Sequence, residues 1–85
     1  MLNLEFTSEA WEEYQYWQTQ DKKKLKRINK LIKDCLRNPS ESIGKPEPLK
    51  YSLEHCWSRR IDDTNRLVYS FDDSTLLILQ LRYHY

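Results

Sequence analysis

The spacing of apolar residues changes along this chain from a helical period to a strand pattern, and that order limits the possible folds. From Asp21, the expected N-cap, to about Arg37, the spacing predicts an amphipathic helix with the buried stripe Leu25, Ile28, Ile32, Cys35 and Leu36. Thr7 or Ser8 should be the N-cap of a preceding helix, whose apolar face consists of Ala10, Trp11, Tyr14 and Trp17. The two helices are expected to form a hairpin with almost no loop.

Three later segments have the composition of β-strands. HCWSRRI, NRLVYSF and TLLILQLRYHY are rich in β-branched, aromatic and leucine residues, and the turns DDTN and DD separate them. The segment LNLEF before the first helix alternates as a further short strand. The predicted order is β-α-α-β-β-β, an α+β fold whose two-helix hairpin packs on one face of an antiparallel sheet. With 85 residues, the chain is expected to form a single domain, residues 1–85.

Alternation along the strands predicts which side chains occupy the sheet face that the helices leave uncovered. In the last strand, Leu77, Leu79, Leu81 and Tyr83 should meet the helices, and the opposite stripe should be Gln80, Arg82 and His84. In WSRRI, Arg60 should share the uncovered face with Ser58, while Arg59 points to the other side. Arg66 opens the middle strand, so it is expected to join Arg60 on the uncovered face.

The segment GKPEPLK, residues 44–50, places a glutamate between two prolines with a lysine on each outer side. A residue before proline is pushed out of the α region, and Pro46 and Pro48 have their own φ angles fixed. Glu47 is therefore the most constrained carboxylate of the chain, which indicates that its direction matters. Lys50 should approach the uncovered sheet face together with Glu47.

The formal net charge of +1 conceals an uneven distribution of charge. Residues 1–21 carry five acidic side chains and no lysine or arginine, whereas residues 22–50 carry ten basic and three acidic ones. The basic segment is a candidate surface for a polyanion, although charge alone is explained more simply by a solvated helix face. No apolar run approaches the roughly 20 residues of a membrane span, and the N-terminus lacks the pattern of a signal peptide. Cys35 and Cys56 are therefore expected to be reduced thiols of a cytoplasmic protein.

A cluster of arginines and a lysine with one carboxylate and one histidine suits a phosphodiester substrate, because the arginine fork matches phosphate oxygens. A metal-free ribonuclease needs a base for the 2′-hydroxyl proton, cations for the charge on phosphorus and an acid for the 5′-oxygen. Glu47 is the candidate base and His84 the candidate acid, and the candidate cations are Lys50, Arg60 and Arg66. Lys45 and Arg82 are further candidates for substrate binding. No metal or cofactor is expected.

Simpler explanations exist for each of these residues. Glu47 can pair with a neighbouring lysine at the surface, where such a pair contributes roughly 0–1 kcal/mol. Arg59 and Arg60 can pair with the acidic residues Glu54, Asp62 or Asp63. His84 lies one residue from a terminus, and termini usually fray. The residues alone therefore leave two rivals open, a non-catalytic basic module that binds RNA or DNA and a domain that binds only protein.

In their order and spacing, GKPEPLK, WSRRI, NRLVY and the terminal RYHY resemble the toxins of the YoeB/Txe family, within the RelE superfamily. The resemblance extends over essentially the whole chain, including YWQTQDKKKLKRINKLIKD. It implies a compact α+β domain like the microbial ribonucleases and the RelE toxins. It also implies a toxin of a bacterial toxin–antitoxin pair that enters the ribosomal A site and cleaves mRNA there.

Matched motif by motif, the resemblance implies a role for each candidate residue. The general base falls on Glu47, the general acid on His84, and the phosphate-stabilising cations on Lys50, Arg60 and Arg66. Tyr85, the last aromatic residue, would help to hold the substrate nucleotide. The implied partners are the ribosome with its mRNA, a YefM-like antitoxin that masks the catalytic face, a second copy of the chain in a homodimer, and operator DNA bound by the toxin–antitoxin complex.

Overall fold

The computed structural model describes residues 1–41, 44, 46–49 and 55–83. Its elements are β1 (Asn3–Phe6), α1 (Ser8–Gln20), α2 (Lys22–Arg37), β2 (Glu47–Pro48), β3 (Cys56–Arg60), β4 (Arg66–Phe71) and β5 (Thr75–Gln80). Buried residues of both helices and of β4 and β5 form one hydrophobic cluster. The predicted α+β fold, with two helices on one face of the sheet, is therefore confirmed. The prediction did not include β2, a two-residue strand in the proline-rich segment.

One residue, Asp21, both ends the first helix and begins the second. Its backbone N–H donates to the carbonyl of Trp17 at 3.2 Å. Its side chain accepts from the N–H groups of Lys23 at 3.0 Å and Lys24 at 3.2 Å, beside the positive end of the α2 dipole. The predicted hairpin with almost no loop is confirmed, as is Thr7 as the N-cap of α1.

The five strands lie in the order β1-β5-β4-β3-β2. The predicted antiparallel sheet is confirmed from β2 to β5, whereas β1 pairs parallel with β5. Parallel neighbours require a long connection, and β1 and β5 are separated by both helices and three strands. The first strand is thus free to pair with the last one in the same direction.

An irregularity in β5 interrupts the simple alternation of its side chains. Val68 on β4 is opposite Gln80, but the next residue, Tyr69, is opposite Ile78. Leu79 is therefore an extra residue in the ladder, in the manner of a β-bulge. Side chains before and after Leu79 consequently follow opposite alternation.

This irregularity decides which residues of the last strand reach the core. The fully buried residues here, which pack in the cluster with the helices, are Leu76, Ile78 and Leu81. The predicted core stripe was wrong except at Leu81; its other members were Leu77, Leu79 and Tyr83. Leu77 and Leu79 are half-buried, and Tyr83 is 60% exposed. Leu79 shifts the alternation by one residue. Leu81 therefore lies on the core side, as predicted, whereas Leu77 lies on the opposite side.

Arg59 is fully buried on the helix-covered face of the sheet. Its guanidinium donates to the carboxylate of Asp34 at 2.5 Å, the hydroxyl of Tyr69 at 3.1 Å, and the carbonyl oxygens of Asn38 and Glu41. Burial opposes the charged form, yet the hydrogen bonds to Tyr69 and Asp34 raise the pKa of Arg59 above its ordinary value. This side chain therefore ties the start of the connection between α2 and β2 to the core.

Gly44 brings the same connection back to β3. Its carbonyl accepts from the N–H of Arg60 at 2.9 Å, and its φ of +80° lies in the left-handed region. A Cβ at this position would lie 2.8 Å from Cδ2 of Leu31 and 3.1 Å from Cβ of Arg59. Glycine is therefore required by both the backbone angle and the available space. The strand that carries Glu47 begins three residues later.

Both cysteines, which were expected to be reduced, are free and buried. Burial, opposed by the nearby charge of Arg59, raises the pKa of the Cys35 thiol to about 11. Burial also raises the pKa of the Cys56 thiol above its ordinary value. Neither thiol is therefore activated as a nucleophile. Among the described residues, no helix combines the length and the apolar character that crossing a membrane requires.

Candidate active site

A cavity of about 340 Å³ opens at the end of the sheet where β2, β3 and β4 meet. Its lining consists of Glu47, Leu49, Ser58, Arg60, Asp62, Asp63 and Arg66. Ser58 and Val68, on the same helix-free face, are buried, so this face is less open than the sequence suggested. Next to Arg60 and Arg66, the cavity leaves part of this face accessible to a ligand.

Strands β3 and β4 supply the cationic side of the cavity. Arg60 is opposite Arg66, and Ser58 is opposite Val68, so residues two apart on each strand share this face. The predicted faces of WSRRI are therefore confirmed, with Arg59 on the other side, and Arg66 is the first residue of β4 as expected. Two arginines directly opposite each other disfavour strand pairing. Such a local cost is typical of functional sites, and two facing guanidinium groups suit an anionic ligand.

The guanidinium of Arg66 is held at the floor of the cavity. Its Nε donates to the hydroxyl of Ser58 at 2.9 Å, and Ser58 is only 1% exposed. Its Nη2 is buried and has no hydrogen-bond partner among the residues that the structure describes. A buried donor without an acceptor is costly. The guanidinium of Arg66 therefore lines the cavity with one donor that the described residues leave unused.

Glu47 enters the cavity from β2, at the edge of the sheet. It is opposite Ser58, and Pro48 is opposite Trp57. The N–H of Leu49 extends this pairing by donating to the carbonyl of Cys56 at 2.8 Å. The extended conformation that the two prolines favour is thus the conformation that pairs with β3. The side chain of Glu47 is exposed, so a ligand in the cavity can reach its carboxylate.

Arg60 lies at the rim of the cavity, where its Nη2 donates to the carboxylate of Asp63. The pairing of Arg60 with an acidic neighbour, which the sequence left open, is therefore present. The two side chains are 52% and 90% exposed, and an exposed pair of this kind contributes roughly 0–1 kcal/mol. A phosphate can therefore replace Asp63 as the partner of Arg60 at little cost.

The basic helix α2 reaches the same rim. Nη2 of Arg27 donates to the carbonyl of Arg60 at 3.1 Å, and Nζ of Lys24 lies 2.7 Å from Oδ2 of Asp62. Further basic side chains along α2 are exposed; they are Lys22, Lys23, Lys26, Lys30, Lys33 and Arg37. The positive surface of the helix therefore begins at the edge of the cavity.

The contacts of Asp62 and Asn65, in the turn between β3 and β4, were not predicted from the sequence, which indicated a turn at DDTN and offered its aspartates only as partners of the arginines. The carboxylate of Asp62 accepts from the N–H groups of Thr64 at 2.8 Å and Asn65 at 2.6 Å. Burial alone would raise the pKa of Asp62, but the bonds from Lys24, Thr64 and Asn65 hold it well below the ordinary value. An aspartate that caps its own turn is a known sequence signal. Oδ1 of Asn65 accepts a hydrogen bond from the N–H of Tyr83 at 2.6 Å. No sequence signal predicts this contact.

Arg82 does not lie in the cavity. Its guanidinium carbon is 3.7 Å from the centroid of the Tyr16 ring on α1, in a separate depression lined also by Glu9, Glu12 and Glu13. The uncovered stripe predicted for the last strand therefore does not bring Arg82 beside Arg60. The strand ends at Gln80, and Tyr83 has a φ of +62°, so the alternation is not continued.

Four predicted site residues lie outside the described residues, namely Lys45, Lys50, His84 and Tyr85. Of the predicted catalytic residues, the structure brings Glu47, Arg60 and Arg66 together in one cavity. Within the described ranges, no group of three or more His, Cys, Asp and Glu side chains is arranged to hold a metal ion.

Comparison with known sequences identifies what the chain is similar to. A sequence profile of the family described as "YoeB-like toxin of bacterial type II toxin-antitoxin system" matches residues 6–85. The toxin YoeB of Streptomyces coelicolor is 55% identical over 84 residues, which cover 99% of this chain and 100% of the relative.

Two solved structures have the same fold at high sequence identity. The YoeB dimer from Staphylococcus aureus has a TM-score of 0.92 at 48% identity, over 99% of this chain and 98% of that chain. YoeB in the heterotetrameric YoeB–YefM toxin–antitoxin complex from the same organism has a TM-score of 0.90 at 48% identity, over 100% and 99% of the two chains. The similarity therefore includes the strands that form the cavity.

Proposed function

The chain belongs to the family of YoeB-like toxins of bacterial type II toxin–antitoxin systems, and from this premise we propose that it cleaves mRNA in the ribosomal A site. The chain is an endoribonuclease whose action destroys the message during translation and so inhibits protein synthesis. It acts as one domain, residues 1–85, in the cytoplasm.

The proposed reaction is the attack of a ribose 2′-hydroxyl on the adjacent phosphate. Glu47 accepts the hydroxyl proton as the 2′-oxygen bonds to phosphorus, and the bond between phosphorus and the 5′-oxygen breaks. His84 donates a proton to the departing 5′-oxygen. The products are a 2′,3′-cyclic phosphate and a 5′-hydroxyl end. Lys50, Arg60 and Arg66 stabilise the negative charge that develops around phosphorus.

The observation that carries this proposal is that Arg66 on β4 and Glu47 on β2 both meet Ser58, on the strand between them, β3. Ser58 accepts from Nε of Arg66 and is opposite Glu47 in the sheet. The buried Nη2 of Arg66 lacks a partner within the described part of the chain. A carboxylate and an unsatisfied guanidinium N–H on either side of one serine suit a base and a cation that act on the same phosphodiester.

Positioning supplies much of the rate in this proposal, because a carboxylate is an intrinsically weak base. The ribosome orders the mRNA in the cavity, so we expect feeble cleavage of free RNA. Tyr85 and Lys45 hold the substrate nucleotide. Arg82, whose guanidinium lies over Tyr16, contacts RNA only outside the cavity.

The basic face of α2 supports docking on ribosomal RNA. Its exposed lysines provide attraction that is independent of sequence and weakens as salt concentration rises. Lys24 and Arg27 continue this charge to the rim of the cavity. Binding to the ribosome is therefore expected to depend on salt much more strongly than a contact with a protein alone.

The solved assemblies of similar chains support two partners. One is a dimer of YoeB and the other a complex of YoeB with YefM. We extend both to this chain, so that it forms a homodimer and binds a YefM-like antitoxin that masks the cavity. Binding of operator DNA belongs to the toxin–antitoxin complex.

The experiment that tests the proposal maps the 5′ ends of cellular mRNA after a brief induction of the toxin. The wild type should produce new 5′ ends at codons in the A site of translating ribosomes. Glu47→Gln and His84→Gln should remove these ends while largely retaining ribosome binding. Matched controls are Glu41→Gln, at an exposed carboxylate outside the cavity, and His55→Asn, at the other histidine.

The non-catalytic binding module makes a different prediction in the same experiment. A module that arrests growth by binding alone would leave Glu47→Gln and His84→Gln as toxic as the wild type, with no new 5′ ends. Ribosome binding that is insensitive to added salt would instead favour a domain that contacts only protein. Either result would contradict the proposed function.

A further inference from the structure

Both backbone groups of Tyr83, the last residue that the structure describes, are hydrogen-bonded. Its N–H donates to Oδ1 of Asn65 at 2.6 Å, and its carbonyl accepts from the N–H of Arg66 at 2.7 Å. Its φ of +62° lies in the left-handed region, which is costly for an aromatic residue and persists only where surrounding contacts enforce it. Tyr83 is therefore a fixed point beside the start of β4.

Hydrogen bonds decide which way the amide of Asn65 faces. Its Nδ2 donates to the two carboxylate oxygens of Asp62 at 3.2 and 3.1 Å, so its Oδ1 is turned toward the N–H of Tyr83. Asn65 is only 9% exposed. Asp62 is itself held by Nζ of Lys24 at 2.7 Å and by the N–H of Thr64 at 2.8 Å. The acceptor for Tyr83 is thus oriented by a network that reaches back to α2.

A second set of contacts holds Leu81, two residues earlier, to helix α1. Its N–H donates to Oε1 of Glu13 at 2.7 Å, and its carbonyl accepts from the indole N–H of Trp17 at 2.9 Å. Glu13 and Trp17 therefore fasten the end of β5 to α1. Asn65 instead fastens Tyr83 to the turn before β4, whose first residue lines the cavity.

We propose that Asn65 is a positioning residue: by binding the N–H of Tyr83, it fixes the point from which the C-terminal tail, with the proposed general acid His84, continues. The inference rests on the proposed function, in which His84 is the general acid. Asn65 acts through the tail and does not contact the substrate. A displacement of a reacting group by about 1 Å can lower a rate by up to about a hundredfold. Loss of this contact should therefore affect the cleavage rate more than substrate binding.

The first test compares Asn65→Ala with Thr64→Ala, an exposed neighbour that keeps its backbone N–H. In Asn65→Ala, the single-turnover cleavage rate on mRNA-programmed ribosomes should fall by about tenfold to a hundredfold, with affinity for the ribosome changed less than about twofold. The amide of Tyr83 should also lose its protection from hydrogen exchange. Thr64→Ala should keep both. An unchanged rate in Asn65→Ala despite an unprotected Tyr83 amide would overturn the inference.

A double variant separates an effect through the tail from a direct effect. If Asn65 acts through His84, adding Asn65→Ala to His84→Gln should lower the residual rate by less than about twofold. A loss that multiplies the two single effects would overturn the inference, because it would show that Asn65 contributes independently of His84.

An exchange variant covers the case in which Asn65→Ala does not fold. In Asn65→Asp, two carboxylates face each other and the rate should fall, whereas Asp62→Asn/Asn65→Asp again pairs a donor with an acceptor and keeps an oxygen for Tyr83. The exchange should recover the rate to within about threefold of the wild type. An exchange variant no faster than Asn65→Asp contradicts the inference.

The cleavage activity of the wild type separates a failure of the proposed function from a failure of the positioning role of Asn65. If it does not cleave mRNA on ribosomes, the proposed function fails and the positioning role fails with it. If it cleaves and Asn65→Ala cleaves equally fast, only the positioning role fails.

Discussion

Arg59 and Arg60 are neighbours on β3, yet they belong to two different environments. Arg59 points to the helix-covered face, where it is fully buried and its guanidinium donates to four residues of the described part of the chain. Arg60 points to the helix-free face, is 52% exposed and donates to the carboxylate of Asp63 at the rim of the cavity. The same side chain is a structural element on one face of the sheet and a candidate for phosphate binding on the other.

The difference between the two arginines lies in how completely their donors are used. A buried cation is tolerated only when charge and hydrogen bonds compensate for lost water, and Arg59 has that compensation. Arg60 keeps contact with water and with a weakly bound partner, so it can exchange Asp63 for a phosphate. Availability for a ligand, and not residue type, therefore distinguishes the site from the core.

The largest effect that follows from this comparison is on stability. Arg59→Met removes a buried cation and its hydrogen bonds to the Asp34 carboxylate and two carbonyl groups, so the free energy of unfolding should fall by about 3–5 kcal/mol. Arg60→Met removes only an exposed pair and should change it by less than about 0.5 kcal/mol. Urea unfolding at one fixed protein concentration measures both values.

The mRNA cleavage rate should show the reverse order at a temperature where both variants are folded. Arg60→Met should lose activity, and folded Arg59→Met should lose less. Equal destabilisation by the two substitutions would remove the distinction between the faces.

The sequence predicted this distinction on β3 because five regular residues alternate without interruption. It failed on β5, where the extra residue Leu79 reverses the alternation. No residue type in TLLILQL marks a bulge, because leucine and isoleucine suit either side of a half-buried strand. The strand β2 was also missed, since two residues are too few for a periodic pattern.

Some residues of the cavity could be predicted because they too lie in regular strands or beside prolines. Glu47, Arg60 and Arg66 were identified because the prolines and regular strands restrict their directions. Arg82 was expected beside them, but the chain leaves the strand before that position. Asn65 was missed because it binds a backbone N–H distant in sequence, and such a contact depends on tertiary structure alone.

A smaller effect is expected inside the cavity, at the contact that holds Arg66. Ser58→Ala removes the acceptor of Nε of Arg66, so the cleavage rate should fall by about tenfold to a hundredfold, because a charge-assisted hydrogen bond contributes about 1.5–3 kcal/mol. The matched control is Ser70→Ala, on the helix-free face of β4 but outside this cavity. If the two variants cleave equally well, Arg66 does not need Ser58 to keep its position.

Asp62 and Asp72 allow a similar comparison of two carboxylates, through the pH dependence of the free energy of unfolding. Hydrogen bonds hold the pKa of Asp62 below its ordinary value despite the opposing effect of burial. The folded state therefore favours the ionised form. Its contribution is complete above the unfolded pKa of about 3.9 and is lost as the pH falls through the lower folded value.

Asp62→Asn should consequently lower the free energy of unfolding by about 1 kcal/mol at neutral pH and flatten its decline below about pH 4. Asp72 is the matched comparison, because it caps the turn between β4 and β5 in the same way and its backbone bonds also lower its pKa. Asp72→Asn should have a smaller effect, because its carboxylate is exposed to solvent. The measurement is urea unfolding between pH 2.5 and 7 for the wild type and both variants. A larger flattening in Asp72→Asn would contradict the argument.

The smallest effect is expected at Asp63, the present partner of Arg60. Asp63→Asn weakens an exposed ion pair, so the free energy of unfolding should change by less than about 0.5 kcal/mol. Arg60 then carries uncompensated charge, and the affinity for ribosomes should rise by about twofold at low salt, with the gain disappearing as salt is added. Binding titrations at two salt concentrations measure this difference. A loss of affinity or of cleavage in Asp63→Asn would show that Asp63 holds Arg60 in its working position, because an Arg60 that merely exchanges partners gains from the removal of a competing carboxylate.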